Sequence, residues 1–143
     1  MISLIDALIN KVTMYRLVLY VCAALLIDAT LLGATHFMSY TPLMILLSTA
    51  VIFAASWITN RMFAFAFDAP YNPESTWLTA FILALLITPA SSFTDTAFYV
   101  LAGGASALAI ASKYLLAIRK KHLFNPAAFG VAAAAIIYGL PAT

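Results

Sequence analysis

Charge is what this 143-residue chain lacks most: Lys, Arg, Asp and Glu together make up 8% of it, against about a quarter in ordinary soluble domains. Seven bases and five acids cannot solvate a surface of this size, while 65% of the residues are hydrophobic and the mean hydropathy is +1.04. A soluble globular domain is therefore excluded, and the chain reads as an all-α integral membrane protein. Cysteine is nearly absent too. The single Cys22 rules out an intrachain disulfide and any site built on several thiolates. His36 and His122 fall on opposite predicted sides of the membrane, so they share no metal or haem iron. Paired carboxylates, a nucleophile elbow and a phosphate-binding Gly loop are also missing, leaving no catalytic residues and no metal site to name. The net charge of +2 is a topology signal, with no nucleic-acid role assigned.

What is present is long apolar runs. A membrane span needs about 20 apolar residues to cross roughly 30 Å of hydrocarbon. Segments 15–34, 42–59 and 93–118 meet that length, whereas Trp77–Thr88, closed by Pro89, and Pro126–Leu140, opened by Asn125-Pro126, fall short. At 1.5 Å per residue these two give only about 18 to 22 Å of helix. Residues 1–14 read as an interfacial helix, and 61–76 as an interfacial loop rich in aromatics, Pro and acids. On an alternating five-segment path, Lys11, Arg16, Arg61, Lys113, Arg119, Lys120 and Lys121 all fall on one side. The positive-inside rule makes that side, with the N-terminus, cytoplasmic, and predicts a multi-pass protein of the cell (inner) membrane. The chain is one domain. An end directly after an apolar helix is the expectation for a fragment or one half of something larger, and equally for a small complete protein.

Broken helices focus attention, because hydrocarbon cannot solvate free backbone groups. Asn125 as N-cap with Pro126 at the first helical position is the favoured chemistry for starting a half-helix. The bland alternative is an ordinary helix start at the membrane surface after a basic loop. Lys113 lies about 9 Å deeper than the Arg119-Lys120-Lys121 cluster, placed either to snorkel or to meet an anionic or electron-rich ligand. Asp28 is the only carboxylate well inside an apolar run and is a possible functional acid, the alternative being an acid hydrated from the predicted outer boundary, less than two turns away. Gly103, Ala107 and Ala111 form a small-residue stripe suited to close helix packing. Trp57, Trp77, Tyr99, Tyr114 and Tyr138 sit near segment ends, as an interfacial aromatic belt requires.

Two stretches carry a resemblance. Residues 75–89, STWLTAFILALLITP, are similar to the S-x-x-x-T-G-L-L-L-A-L-x-L-P-P segment of the NqrB/RnfD family, membrane subunits of sodium-pumping NADH:quinone reductase and of the Rnf complex. Ser112-Lys113, followed by Phe124-Asn125-Pro126-Ala127, resembles that family's G-K-(x)-N-P-F-N-P-A, with the same twelve residues from Lys to the second Asn. Ala80, Thr88, Ser112 and Leu123 depart from the two motifs. Family members have about twice as many helices in two related halves, so the chain resembles one half. It would be completed by the rest of a longer protein or by a second copy in a homodimer.

The resemblance implies a flavin, FMN or riboflavin, held noncovalently between the broken helices by Thr79, Lys113, Asn125, Pro126 and Ala127. It implies electron relay within or across the bilayer, with other electron-transfer subunits or a downstream reductase domain as partners. The competing expectation is a channel or transporter half-repeat with no redox cofactor, which broken helices and an Asn-Pro-Ala turn also suit.

Overall fold

The computed structural model describes residues 14–35, 37, 39–69, 73–118, 121–122 and 125–139. The expected interfacial helix of residues 1–14 lies almost wholly outside them. Five helices are described: α1 Met14–Ala34, α2 Pro42–Ala66, α3 Pro73–Leu86, α4 Thr96–Leu115 and α5 Pro126–Tyr138. Between α4 and α5 a two-residue antiparallel ladder pairs Ala117 with His122 and Ile118 with Lys121. α1, α2 and α4 are long and apolar enough to cross a membrane, and α3 and α5 are the two short helices.

Capping sets most boundaries. Thr41 caps α2 by accepting the Met44 N–H at 3.4 Å, with Pro42 in the first turn where its missing N–H costs nothing. α2 continues to Ala66, seven residues past the expected end at Thr59. Residues 60–66 contain neither Gly nor Pro, and Asn60 and Phe63 pack inward, so nothing stops the helix before Phe67. α3 likewise begins at Pro73, four residues before the expected Trp77, so the anticipated loop of 61–76 shrinks to a short connection. Asp95 caps α4 through the Phe98 N–H at 3.1 Å. α5 ends at Tyr138 because Gly139, at φ 63°, takes the left-handed conformation that closes a helix.

The helices alternate in direction. Arg16 of α1 donates to Glu74 of α3 at 2.9 Å, and Tyr114 of α4 to Asn60 of α2 at 2.7 Å, which gathers the starts of α1 and α3 with the ends of α2 and α4. At the far end the Ala90 N–H donates to Ser48 Oγ at 2.9 Å. Ile52, Leu83 and Ile110 are the largest fully buried apolar side chains, one each from α2, α3 and α4. Phe53 and Phe81 add an edge-to-face contact with ring centres 4.7 Å apart. α4 is the most buried span, with 44% of its apolar window covered, against 17% for α1, so α4 is central and α1 peripheral.

α5 packs antiparallel on α4 through small residues. A Cβ on Gly130 would strike the Ala105 carbonyl and the Ala109 methyl, and one on Gly104 would strike the Tyr138 ring. On α4 the face that meets α5 thus includes Gly104, Ala105 and Ala109, none of them in the expected stripe of Gly103, Ala107 and Ala111, and a Cβ on Gly103 would meet nothing within 4 Å.

Candidate functional site

The candidate site is built around one backbone oxygen. Ser75 lies in the first turn of α3, and its carbonyl accepts the Thr79 hydroxyl at 2.9 Å and the Lys113 ammonium at 2.7 Å. Lys113 Nζ also reaches Ser75 Oγ at 3.0 Å. Removing an ammonium from water is costly, and these contacts, with charge on the donor, offset part of that cost. The two motif-bearing stretches thereby meet in space. Ser75 belongs to the quoted motif, yet its role as acceptor was not legible, because a helical carbonyl normally serves its own helix.

α5 brings Asn125 to the same end. With Gly130 set against Ala105 and Ala109 in an antiparallel pair, five residues back along α5 corresponds to the level of Ser112 and Lys113 on α4. The exposed Asn125 caps α5 through Oδ1, which accepts the Ala127 N–H at 3.1 Å. This leaves the Asn125 amide nitrogen without a partner among the described residues. Pro126 is half-buried, and Ala127 is a core residue at 1% exposure. Thr79 is buried beside the core. The ends brought together are therefore the starts of the two short helices. Thr88 and Pro89, which follow α3, lie at the opposite end, where they line an apolar cleft of about 320 Å³ with Leu26, Tyr40 and Ile45.

A polar seam runs up from this end. Asn60 accepts the Tyr114 hydroxyl with its Oδ1, while its Nδ2 is buried with no hydrogen-bond partner among the described residues. Ser56 Oγ, one turn along α2, and Ser106 Oγ on α4 are likewise buried without partners among the described residues. Phe63 and Phe67 stack on the Tyr114 ring at 5.6 and 5.9 Å, closing the end of the seam with aromatic faces. Sequence reading assigned Tyr114 to the interfacial belt and gave Asn60 no role. Asn60's position one and two turns from Ser56 and Ile52, on the buried face of α2, is the signal that was available.

Asp28 stands apart from all of this. It is exposed on α1, about 200° around the helix from the buried Leu26. Trp57, nine residues before the end of α2 and so deeper than the interfacial belt expected of it, and Trp77, in the second turn of α3, are both exposed, the former beneath the Arg61 guanidinium at 5.6 Å. Among the described residues no group of three or more His, Cys, Asp or Glu side chains is arranged to hold a metal ion. Cys22 is buried and free. No family model, curated protein or solved structure matches this chain.

Proposed function

We propose that this chain is the flavin-binding membrane module of an electron-transport oxidoreductase, relaying electrons within or across the bilayer. The observation that carries the reading is the shared Ser75 oxygen, which ties Thr79 and Lys113, and so both motif stretches, to one point beside the start of α5. The local chemistry suits a flavin. An isoalloxazine offers hydrogen-bond acceptors along one edge, and this end of the bundle holds the Lys113 ammonium and the Asn125 amide nitrogen as donors. Phe63, Phe67 and Tyr114 supply flat apolar faces.

A bound flavin, FMN or riboflavin, supplies the electron acceptance and release. Lys113 contributes positive charge in a water-poor setting, where it favours electron-rich ligands and phosphate alike. Ser75 holds that ammonium in place, and Thr79 fixes Ser75. Asn125 orients the first turn of α5 and offers its amide outward. The gathering of the basic residues Arg16, Arg61 and Lys113 at this end supports, through the positive-inside rule, a site facing the cytoplasm of the cell membrane. Electrons arrive from a partner subunit or a further domain. The half-size bundle is completed by a second half, from a longer chain or a second copy.

A channel or transporter half-repeat is the second reading, and the buried seam of Ser56, Asn60 and Ser106 is the observation that favours it. Flavin retention on purification separates the two. The proposal expects wild type and Asp28→Ala to keep bound flavin, and Lys113→Ala and Asn125→Ala to lose most of it. Equal occupancy in all four overturns the location, and solute flux through a colourless, folded protein favours the second reading.

A further inference from the structure

The peripheral helix α1 touches the bundle along Cys22, Leu26 and Gly33. At 100° per residue those three positions fall within about 40° of one another, and Asp28 points about 200° away from Leu26. Its side chain therefore leaves the bundle on the side opposite to all packing. It emerges among Leu17, Val21, Leu25, Leu31 and Leu32, which are 38 to 59% exposed and form a surface otherwise fit for lipid tails. Asp28 stands six residues from the helix end at Ala34, about 9 Å along the axis. A side chain this short cannot reach the interface from there as a lysine would. No hydrogen bond or ion pair engages it among the described residues. A carboxyl group so placed in hydrocarbon is costly unless a second helix brings it a donor.

Charge decides what kind of helix that is. No Lys or Arg occurs between residues 17 and 60 or between 62 and 112, and Arg16, Arg61 and Lys113 gather at the opposite end of the bundle. A second copy lying against α1 about a two-fold axis would bring carboxyl against carboxyl at this depth, with no Lys or Arg to neutralise their charge. We infer that the outward face of α1 is the docking surface for a membrane-spanning helix from outside residues 1–143, one that carries a basic side chain at the depth of Asp28. Interhelical polar contacts of this kind hold membrane helices together where apolar surface alone, equally satisfied by lipid, does not.

The inference stands without the flavin reading. Its test is a photoreactive benzoylphenylalanine at the exposed Ala24, one turn from Asp28, activated in native membranes, with the cross-linked peptide identified by mass spectrometry. The expected product is a single transmembrane helix with Lys or Arg within one turn of the cross-link. Its yield should fall about tenfold in Asp28→Leu, within the range of an interhelical polar contact, and return when the two charges are exchanged. Cross-links to lipid only, to a second copy only, or to a helix without a base overturn it. So does an unchanged yield in Asp28→Leu, whose retained helicity by circular dichroism would show that the bundle itself is intact.

Discussion

Tyr114 donates its hydroxyl proton to Asn60 Oδ1 at 2.7 Å, joining the end of α4 to the end of α2 at the residue next to Lys113. Tyr114→Phe deletes the donor and leaves the Asn60 carboxamide, already short of a partner for Nδ2, with none for Oδ1. A buried polar group left unsatisfied costs about 1 to 3 kcal/mol. Tyr114→Phe should lower stability by that order in a denaturant titration in detergent. Adding Asn60→Leu should recover part of the loss, because the orphaned amide is then gone.

Lys113 is the second test of the same end. Lys113→Met keeps the apolar stem and removes the charge, so the helices should remain packed while flavin retention falls about tenfold, the scale of a charge-assisted hydrogen bond. Any flavin that remains should become harder to reduce, since the nearby positive charge is lost. Redox titration of the variant reads the change directly; an unaltered potential would separate Lys113 from the cofactor.

Two neighbouring helices carry glycines with opposite expectations. Gly130→Val should separate α5 from α4 and cost several kcal/mol, because the Ala105 carbonyl and Ala109 backbone cannot yield. Gly103→Ala meets open space and should stabilise by up to about 1 kcal/mol, from helix propensity. Thermal unfolding of the two variants beside wild type checks the predicted sign of each.

The pH response is set at the other end. Asp95 accepts hydrogen bonds from the backbone N–H groups of Ser91 and Phe98 and from the Ser91 hydroxyl, and these hold its carboxyl below the usual carboxylate range. A carboxyl depressed on folding contributes stability that is fully present above its unfolded pKa of about 3.9. That contribution disappears as pH falls through the lower folded value. Asp95→Asn should therefore flatten the acid limb of the stability curve while leaving the neutral region lowered only by a weaker cap. A limb unchanged by the substitution would assign acid sensitivity to another group.

Hydropathy and capping residues made most of the fold legible. The five apolar segments correspond to the five helices, and Pro42, Pro126 and Asn125 mark starts that the chain uses. The missed boundaries have a physical cause: polar residues such as Asn60 and Arg61 resemble a helix end in sequence, yet a half-buried hydrogen bond to Tyr114 and a cation–π contact with Trp57 let α2 run past them. At the candidate site, the residue types were legible but the partner of Lys113 was not. A bond from a side chain to a backbone carbonyl 38 residues away leaves no pattern in sequence. Small residues on α4 are legible as a packing stripe, but which of them meet α5 is decided by Gly130 on the other helix.

The most direct test is the molecule that travels with the protein. Purified gently in lipid and detergent, then denatured, the wild-type chain should release one FMN or riboflavin per polypeptide, identified by mass and by flavin fluorescence, and Lys113→Met should release far less. A folded, helical preparation that repeatedly releases no flavin would contradict the account.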